Sequence, residues 1–164
     1  MTYSNSVSQQ SAFRAFARID HWAAPHAVTL TMKQGLNNGS FVLLTNEAAS
    51  RNYRHFLNVL NDRVFGKAAQ RFGRRVNSIS TIEGGGGKRI HIHGVIDCPL
   101  PDLVPRFPAL IAEVWRKSDW GHQEIHIQPG ADAGWTKYIS KLRDKPNYAD
   151  SIDWENYHNA DCRV

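Results

Sequence analysis

Isoleucine and histidine side chains alternate along the segment Lys88–Ile96, a pattern typical of a β-strand with one buried face. Ile90 and Ile92 then face the protein core, and His91 and His93 face the opposite side of the sheet. Two imidazoles at this spacing stand about 6–7 Å apart along the strand, so both can reach one metal ion. The alternative is a pair of solvated histidines on a polar sheet face, and other residues must decide between the two interpretations.

Periodicity predicts the other strands and the helices. Alternating runs predict three further strands at His26–Lys33, Val76–Glu83 and Gly121–Gln128, and Gln34–Ser40 is predicted to be a loop. Apolar side chains at three- and four-residue steps predict three helices: Asn46–Arg74, one that ends near Ser118, and one from Asp132 to about Asp144. The order β-α-β-β-α-β-α favours an α+β fold of the ferredoxin-like kind. In that fold, helices cover one face of an antiparallel sheet and the other face is open.

A chain of 164 residues is long enough to form one domain with its own core. We expect a loose arm at residues 1–24, with a short helical stretch near its end, one domain at 25–145, and a polar tail at 146–164.

Nothing in the sequence predicts a membrane partner. No apolar run reaches the ~18 residues of a membrane span, and the first twenty residues lack the apolar stretch of a secretory signal. Two cysteines, Cys98 and Cys162, are too few for a disulfide framework and favour reduced thiols in a cytoplasmic protein.

The chain is basic, with 20 Lys and Arg against 15 Asp and Glu and a pI of about 9.4. This balance suits a nucleic-acid partner, although many proteins without one share it. Arg71, Arg74 and Arg75 form a basic cluster at the end of the first predicted helix. They either contact duplex DNA or are simply solvated.

A carboxylate beside the two histidines would favour a metal site, and Glu83 is the candidate. A plain hairpin through the Gly84–Gly87 loop would place Glu83 on the wrong face, so the prediction requires a bulge, which glycines permit. His126 and Gln128 also point to this face and are alternative third ligands, unless they are only solvated polar side chains.

Tyr138 and Lys141 are three residues apart on the last predicted helix and therefore share one of its faces. They flank its buried side, so one interpretation is a packed tyrosine with a solvated lysine beside it. A tyrosine hydroxyl, with a pKa of about 10, is a weak nucleophile at neutral pH. Near a metal that polarises a phosphate, it can attack phosphorus.

Three short motifs occur in one order along the chain: TLT at 29–31, HIHG at 91–94 and YISK at 138–141. This ordered set resembles the motifs of the HUH endonucleases, in particular the rolling-circle replication initiators of plasmids, phages and small single-stranded DNA viruses. The resemblance covers most of the chain, from Val28 to Lys141, and makes residues 25–145 the expected endonuclease domain.

The resemblance implies that His91, His93 and Glu83 bind Mg²⁺ or Mn²⁺ and that Tyr138 is the nucleophile. It implies that Lys141 positions or neutralises the phosphate. The expected enzyme is a site-specific endonuclease and ligase that nicks a single-stranded or extruded hairpin origin through a 5′-phosphotyrosine intermediate, and so initiates rolling-circle replication.

Several residues near the expected site are predicted to contact DNA, since basic side chains neutralise phosphates. These residues are Thr29, Thr31, Lys33, Lys88, Arg89 and Lys137. The chain has no glycine-lysine P-loop, so we expect a host helicase or polymerase as partner, or a longer parent protein.

Two other functions stay open at this point. A single-tyrosine HUH transposase shares two histidines and one helical tyrosine, although the lysine that follows Tyr138 favours an initiator. A relaxase is disfavoured because that class uses a third motif histidine. A non-catalytic ferredoxin-like module would bind nucleic acid on the open sheet without metal or covalent chemistry.

Overall fold

The described part of the chain forms five α-helices and six β-strands. The computed structural model describes residues 2–139 and 151–160, and the side chains of 9–138 and 151–160. In chain order the elements are α1 (Thr2–Phe16), β1 (Pro25–Met32), β2 (Gly35–Asn37), β3 (Phe41–Leu43), α2 (Asn46–Phe65), α3 (Lys67–Phe72), β4 (Ser78–Gly85), β5 (Lys88–Asp97), α4 (Phe107–Lys117), β6 (Gly121–Pro129) and α5 (Ala133–Ile139). Two 3-10 turns, Pro101–Arg106 and Trp154–Asn156, complete the list of described elements.

A four-stranded sheet in the order β4-β5-β1-β6 forms the centre of the fold, and every neighbouring pair is antiparallel. The four predicted strands are confirmed to within about two residues at each end. The protein is therefore an α+β structure.

The main core lies between this sheet and helices α2 and α4. The sheet contributes alternate side chains, and the predicted apolar stripe of α2 is buried against them. Its largest fully buried members are Trp115, Tyr53, Phe56, Phe107, Leu30, Met32, Leu60, Ile92, Ile96 and Ile111. Thr45 caps α2 by accepting a hydrogen bond from the Ala48 amide at 3.2 Å.

The predicted helix Asn46–Arg74 is interrupted in the structure at Gly66. This glycine has φ +55° and ψ −135°, which lies outside the helical region. Residues that carry a side chain rarely adopt this conformation. Helix α2 ends there and the short helix α3 follows. The predicted loop 34–40 also differs, because part of it forms the small hairpin β2–β3.

The second face of the sheet is open only in part, which differs from the prediction of an open face. Its Ala27, Ile79 and Val95 are fully buried beneath residues of α1, the α1–β1 connection and the segment 151–157. Burial of these apolar side chains is favourable, which explains why this end of the face is covered. The polar end of the same face, with the predicted ligands, is half-buried.

The segments predicted as an arm and a tail contribute to this cover. Helix α1 spans Thr2–Phe16, longer than the short helical stretch expected, and Phe13 is buried. In residues 151–160, Ile152 pairs with Thr81 and His158 with Ser78 of β4. The predicted boundary at 145 lies outside the described residues. Among the helices described, none has the length and apolar character needed to cross a membrane.

Candidate metal centre

Strand register brings the predicted ligands into two adjacent rows across the sheet. Glu83 on β4 is opposite His91 on β5, which is opposite Thr31 on β1. In the next row, His93 lies between Thr81 and Thr29. Opposed residues share a face, so the carboxylate and both imidazoles point to the same side.

A bulge at Arg89–Ile90 of β5, opposite Gly84, produces the register that Glu83 requires. Glu83 pairs with His91 and Gly85 pairs with Lys88, with a register shift between the two pairs. Gly84 has φ +108°, and a Cβ there would overlap the carbonyl oxygen of Arg89. The predicted bulge is therefore confirmed, and only glycine fits at the β4 position opposite it.

Glu83, His91 and His93 form a compact donor cluster. The Nε2 atoms of the two histidines are 3.0 Å apart, and Glu83 Oε2 lies 3.8 Å from His91 Nε2 and 3.6 Å from His93 Nε2. Two metal–ligand bonds of about 2.1 Å can join atoms up to about 4.2 Å apart, so all three distances allow contact with one ion. These residues could hold a metal ion.

Hydrogen bonds at Nδ1 orient both imidazoles. His91 Nδ1 lies 2.9 Å from the Arg89 carbonyl oxygen, which can only accept, so this nitrogen carries a proton and, in the neutral tautomer, Nε2 has the lone pair. His93 Nδ1 lies 3.0 Å from the hydroxyl of Thr29. This is how metal-binding histidines are usually held by an outer layer of partners.

The cluster is electrostatically suited to a cation. Two imidazole nitrogens facing each other at 3.0 Å repel if both present lone pairs, unless a proton or a metal ion lies between them. The Glu83 carboxylate adds negative charge. His93 is 8% exposed, whereas Glu83 is 24% and His91 28% exposed, so a bound ion would have one side open to a substrate.

Helix α5 places Tyr138 against this cluster. Asp132 begins the helix as predicted, accepting a hydrogen bond from the Gly134 amide at 2.8 Å. The Tyr138 ring packs edge-on against His93, with ring centroids 5.3 Å apart, and against Trp135 at 5.2 Å. Tyr138 remains 42% exposed. The tyrosine thus contacts a candidate metal ligand and also faces solvent.

The other predicted site residues differ in exposure and in their hydrogen-bond partners. Lys88 and Arg89 are exposed beside the bulge, and Lys137 is exposed on α5. Lys33 donates to the Asp119 carbonyl at 3.0 Å, and the Thr31 hydroxyl donates to the Glu124 carbonyl. Lys141 lies outside the described residues.

The alternative third ligands are not part of the cluster. Among the described histidines, cysteines and carboxylates, the group close enough to share an ion contains Glu83 and not His126. Gln128 is opposite Ala27, one row further from His93 than His126 is. His126 is opposite Thr29, so β1 separates it from His93 by two strand spacings, about 10 Å.

Sequence reasoning missed two residues that support the site. Thr29 was expected to contact DNA but holds the His93 ring; its position opposite His93 could have indicated this once the register was known. Gln34 pairs with the backbone of Ile90 at 2.7 and 2.9 Å, and so holds β5 immediately before His91. No local pattern indicates that contact.

Comparison of the chain with protein-family models, curated proteins and solved structures found no match in any of the three.

Proposed function

We propose that this protein is a metal-dependent endonuclease and strand transferase that cuts single-stranded DNA with Tyr138 as nucleophile. One observation carries the proposal: the ring of an exposed tyrosine packs directly on His93, a member of the Glu83, His91 and His93 cluster. A cluster of metal-binding side chains alone fits many functions. A tyrosine beside it fits covalent attack on a phosphate that the metal holds.

The strand order and motif order support assignment to the HUH class. The sheet order β4-β5-β1-β6, with helices α2 and α4 on one face, is the order of a ferredoxin-like βαββαβ unit. The TLT segment lies on the central strand β1, and the HIHG segment lies on its neighbour β5. Within this class, we infer a replication initiator that nicks an origin, as the YISK segment favours.

Two imidazoles and one carboxylate suit a hard or borderline divalent ion, and we infer Mn²⁺ or Mg²⁺. When bound, the ion supplies Lewis-acid polarisation of the scissile phosphate. Thr29 and the Arg89 carbonyl hold the two imidazoles in place.

Tyr138 performs the group transfer. Its phenolic oxygen forms a bond to phosphorus while the bond from phosphorus to the 3′ oxygen breaks. The phenolic proton passes to solvent, and the departing 3′ oxygen takes up a proton. The 5′ end is then esterified to the tyrosine, and attack by another 3′-hydroxyl reverses the step and joins strands without ATP.

A cleavage assay tests the proposal. A pool of end-labelled single-stranded oligonucleotides is incubated with Mn²⁺ and resolved on a denaturing gel. We expect cleavage that EDTA and His91→Ala both abolish. His126→Ala is the matched control, because it removes an exposed histidine from the same sheet face outside the cluster. Cleavage that survives His91→Ala, or is lost equally in His126→Ala, contradicts the proposal.

A further inference from the structure

A cleft with a volume of about 670 Å³ lies at the end of the sheet away from the metal cluster. It is lined in part by Asn77, just before β4, and Asp97, the last residue of β5. Glu83 and His91 are each six residues further along these strands, a distance of about 20 Å at the usual rise per residue. The cleft is therefore separate from the candidate metal centre.

The turn after helix α3 supplies one wall of this cleft. Gly73 has φ +62° and ends the helix in the left-handed conformation that glycine favours. Phe72 remains at the helix end with its ring 78% exposed, and Arg74 and Arg75 follow along the cleft. The Arg74 guanidinium lies over the Phe65 ring, 4.8 Å from its centroid, which holds that cation in the wall.

The cleft carries positive charge. Arg74 and Arg75 outnumber Asp97, its acidic lining residue, whose carboxylate accepts hydrogen bonds from the Ala23 and Ala24 amides at 3.2 and 2.7 Å. In the described part of the chain, neither Arg74 nor Arg75 forms an ion pair with a carboxylate. Both guanidinium groups are therefore available to an anionic ligand.

His158 also lines the cleft. Burial lowers its pKa, and the neighbouring charge of Arg75 lowers it further. The imidazole is accordingly neutral at neutral pH and adds a polar, uncharged surface beside the two cations.

We propose that this cleft is a second nucleic-acid site, which binds single-stranded DNA with phosphates on Arg74 and Arg75 and a base stacked on Phe72. Its volume falls within the range of small-ligand sites, about 300–1,000 Å³, and so accommodates a nucleotide. Cations beside an exposed aromatic ring are the combination that binds single strands, because unpaired bases offer their faces for stacking. The two cations alone would also suit a duplex, but the exposed Phe72 ring favours a single strand.

Binding without metal tests this proposal independently of the proposed nuclease activity. Fluorescence anisotropy is measured in EDTA with a labelled oligothymidylate of about 12 nucleotides. We expect Arg74→Glu/Arg75→Glu to weaken binding at least about tenfold and to lower the slope of log K against log salt by about 1.4, which corresponds to two phosphate contacts. Phe72→Ala should weaken binding about tenfold, and Phe72→Tyr should restore it.

The matched control is Lys67→Glu/Arg71→Glu. It changes the net charge equally, at exposed positions of the preceding helix α3 that do not line the cleft. We expect it to weaken binding much less than the cleft variant. If the control weakened oligonucleotide binding as much as the cleft variant, binding would depend on overall charge and not on the cleft. That result would overturn the proposed site. Unchanged binding in Phe72→Ala, with duplex DNA bound as tightly as the single strand, would overturn the single-strand assignment. Because cleavage is not measured, failure of the nuclease proposal leaves these results unaffected.

Discussion

The Nε2 atoms of His91 and His93 lie 3.0 Å apart, and their Nδ1 atoms bond to different partners. One ring is held by the backbone carbonyl of Arg89 and the other by the hydroxyl of Thr29. The rings are nearly perpendicular, with an interplanar angle of 88°. Two rings fixed in this way present two nitrogens to one point in space, which is what binding of a single metal ion requires.

Thr29→Val is expected to weaken metal binding because it removes the hydroxyl that orients His93 while keeping a similar volume. Loss of such an outer partner typically reduces metal affinity about 10–100-fold. Isothermal titration with Mn²⁺ measures the effect, and Thr29→Ser should retain near-normal affinity. Thr31→Val serves as the control, since the Thr31 hydroxyl hydrogen-bonds the Glu124 carbonyl and His122 Nδ1, whereas the Thr29 hydroxyl bonds His93. An affinity unchanged in Thr29→Val would show that the His93 ring needs no such support.

Gly84→Ala is expected to disrupt the bulge that sets the register of Glu83. The added Cβ would overlap the Arg89 carbonyl, in addition to the cost of a positive φ of about 1–2 kcal/mol. Gly87→Ala is the control, because Gly87 also has a positive φ, of 95°, but open space around its Cβ position.

Urea unfolding should therefore give a larger loss of unfolding free energy for Gly84→Ala than for Gly87→Ala. Of the two variants, only Gly84→Ala should also weaken Mn²⁺ binding. Equal losses in the two variants would show that backbone strain alone matters and that the register does not depend on Gly84.

Acidification is expected to destabilise the fold through His26. Burial lowers the pKa of His26, which is 1% exposed and bonds through Nδ1 to the Ala24 carbonyl at 2.8 Å. The unfolded state then takes up its proton at higher pH than the folded state. The contribution of His26 to the free energy of unfolding is fully present above the unfolded pKa of about 6.5. It is lost as pH falls through the folded pKa.

Urea unfolding at about pH 7.5 and about pH 5.5 measures this effect. We expect a lower unfolding free energy at the acidic pH, and a smaller difference in His26→Gln, which cannot titrate. Asp153 acts in a more acidic range: burial raises its pKa, so its contribution is present below the unfolded pKa of about 3.9 and is lost as pH rises. A pH dependence identical in His26→Gln would remove His26 as its source.

The candidate metal ligands could be predicted because their signals are local. A strand forces alternate side chains to opposite faces, so the alternation around His91 and His93 was enough to place both imidazoles together. Glu83 required one more condition, the bulge, and the glycines at 84–87 made it available. The position of Tyr138 beside His93 could not be derived from spacing, because it depends on how α5 packs against the sheet.

The cover on the second face could not be predicted because its apolar and polar contacts both join segments that are distant in sequence. The buried Asp153 accepts a hydrogen bond from Ser50 at 2.9 Å, and Asn156 donates to both Ser50 and Asp153. The two bonds to Ser50 join residues about one hundred positions apart, and residues 151–160 have no helix or strand periodicity to reveal them. The break at Gly66 was missed because an isolated glycine is often tolerated within a helix.

The central claim is that Tyr138 becomes covalently attached to DNA. The direct measurement is mass spectrometry of the protein after reaction with cleavable single-stranded DNA and Mn²⁺, with the modified peptide sequenced. Tyr157→Phe is the matched control, because that tyrosine packs on Phe16 and is not part of the Glu83, His91 and His93 cluster. We predict a nucleotide adduct on Tyr138 in the wild-type protein and in Tyr157→Phe, and none in Tyr138→Phe. Cleavage without an adduct, or an adduct that persists in Tyr138→Phe, would contradict the account.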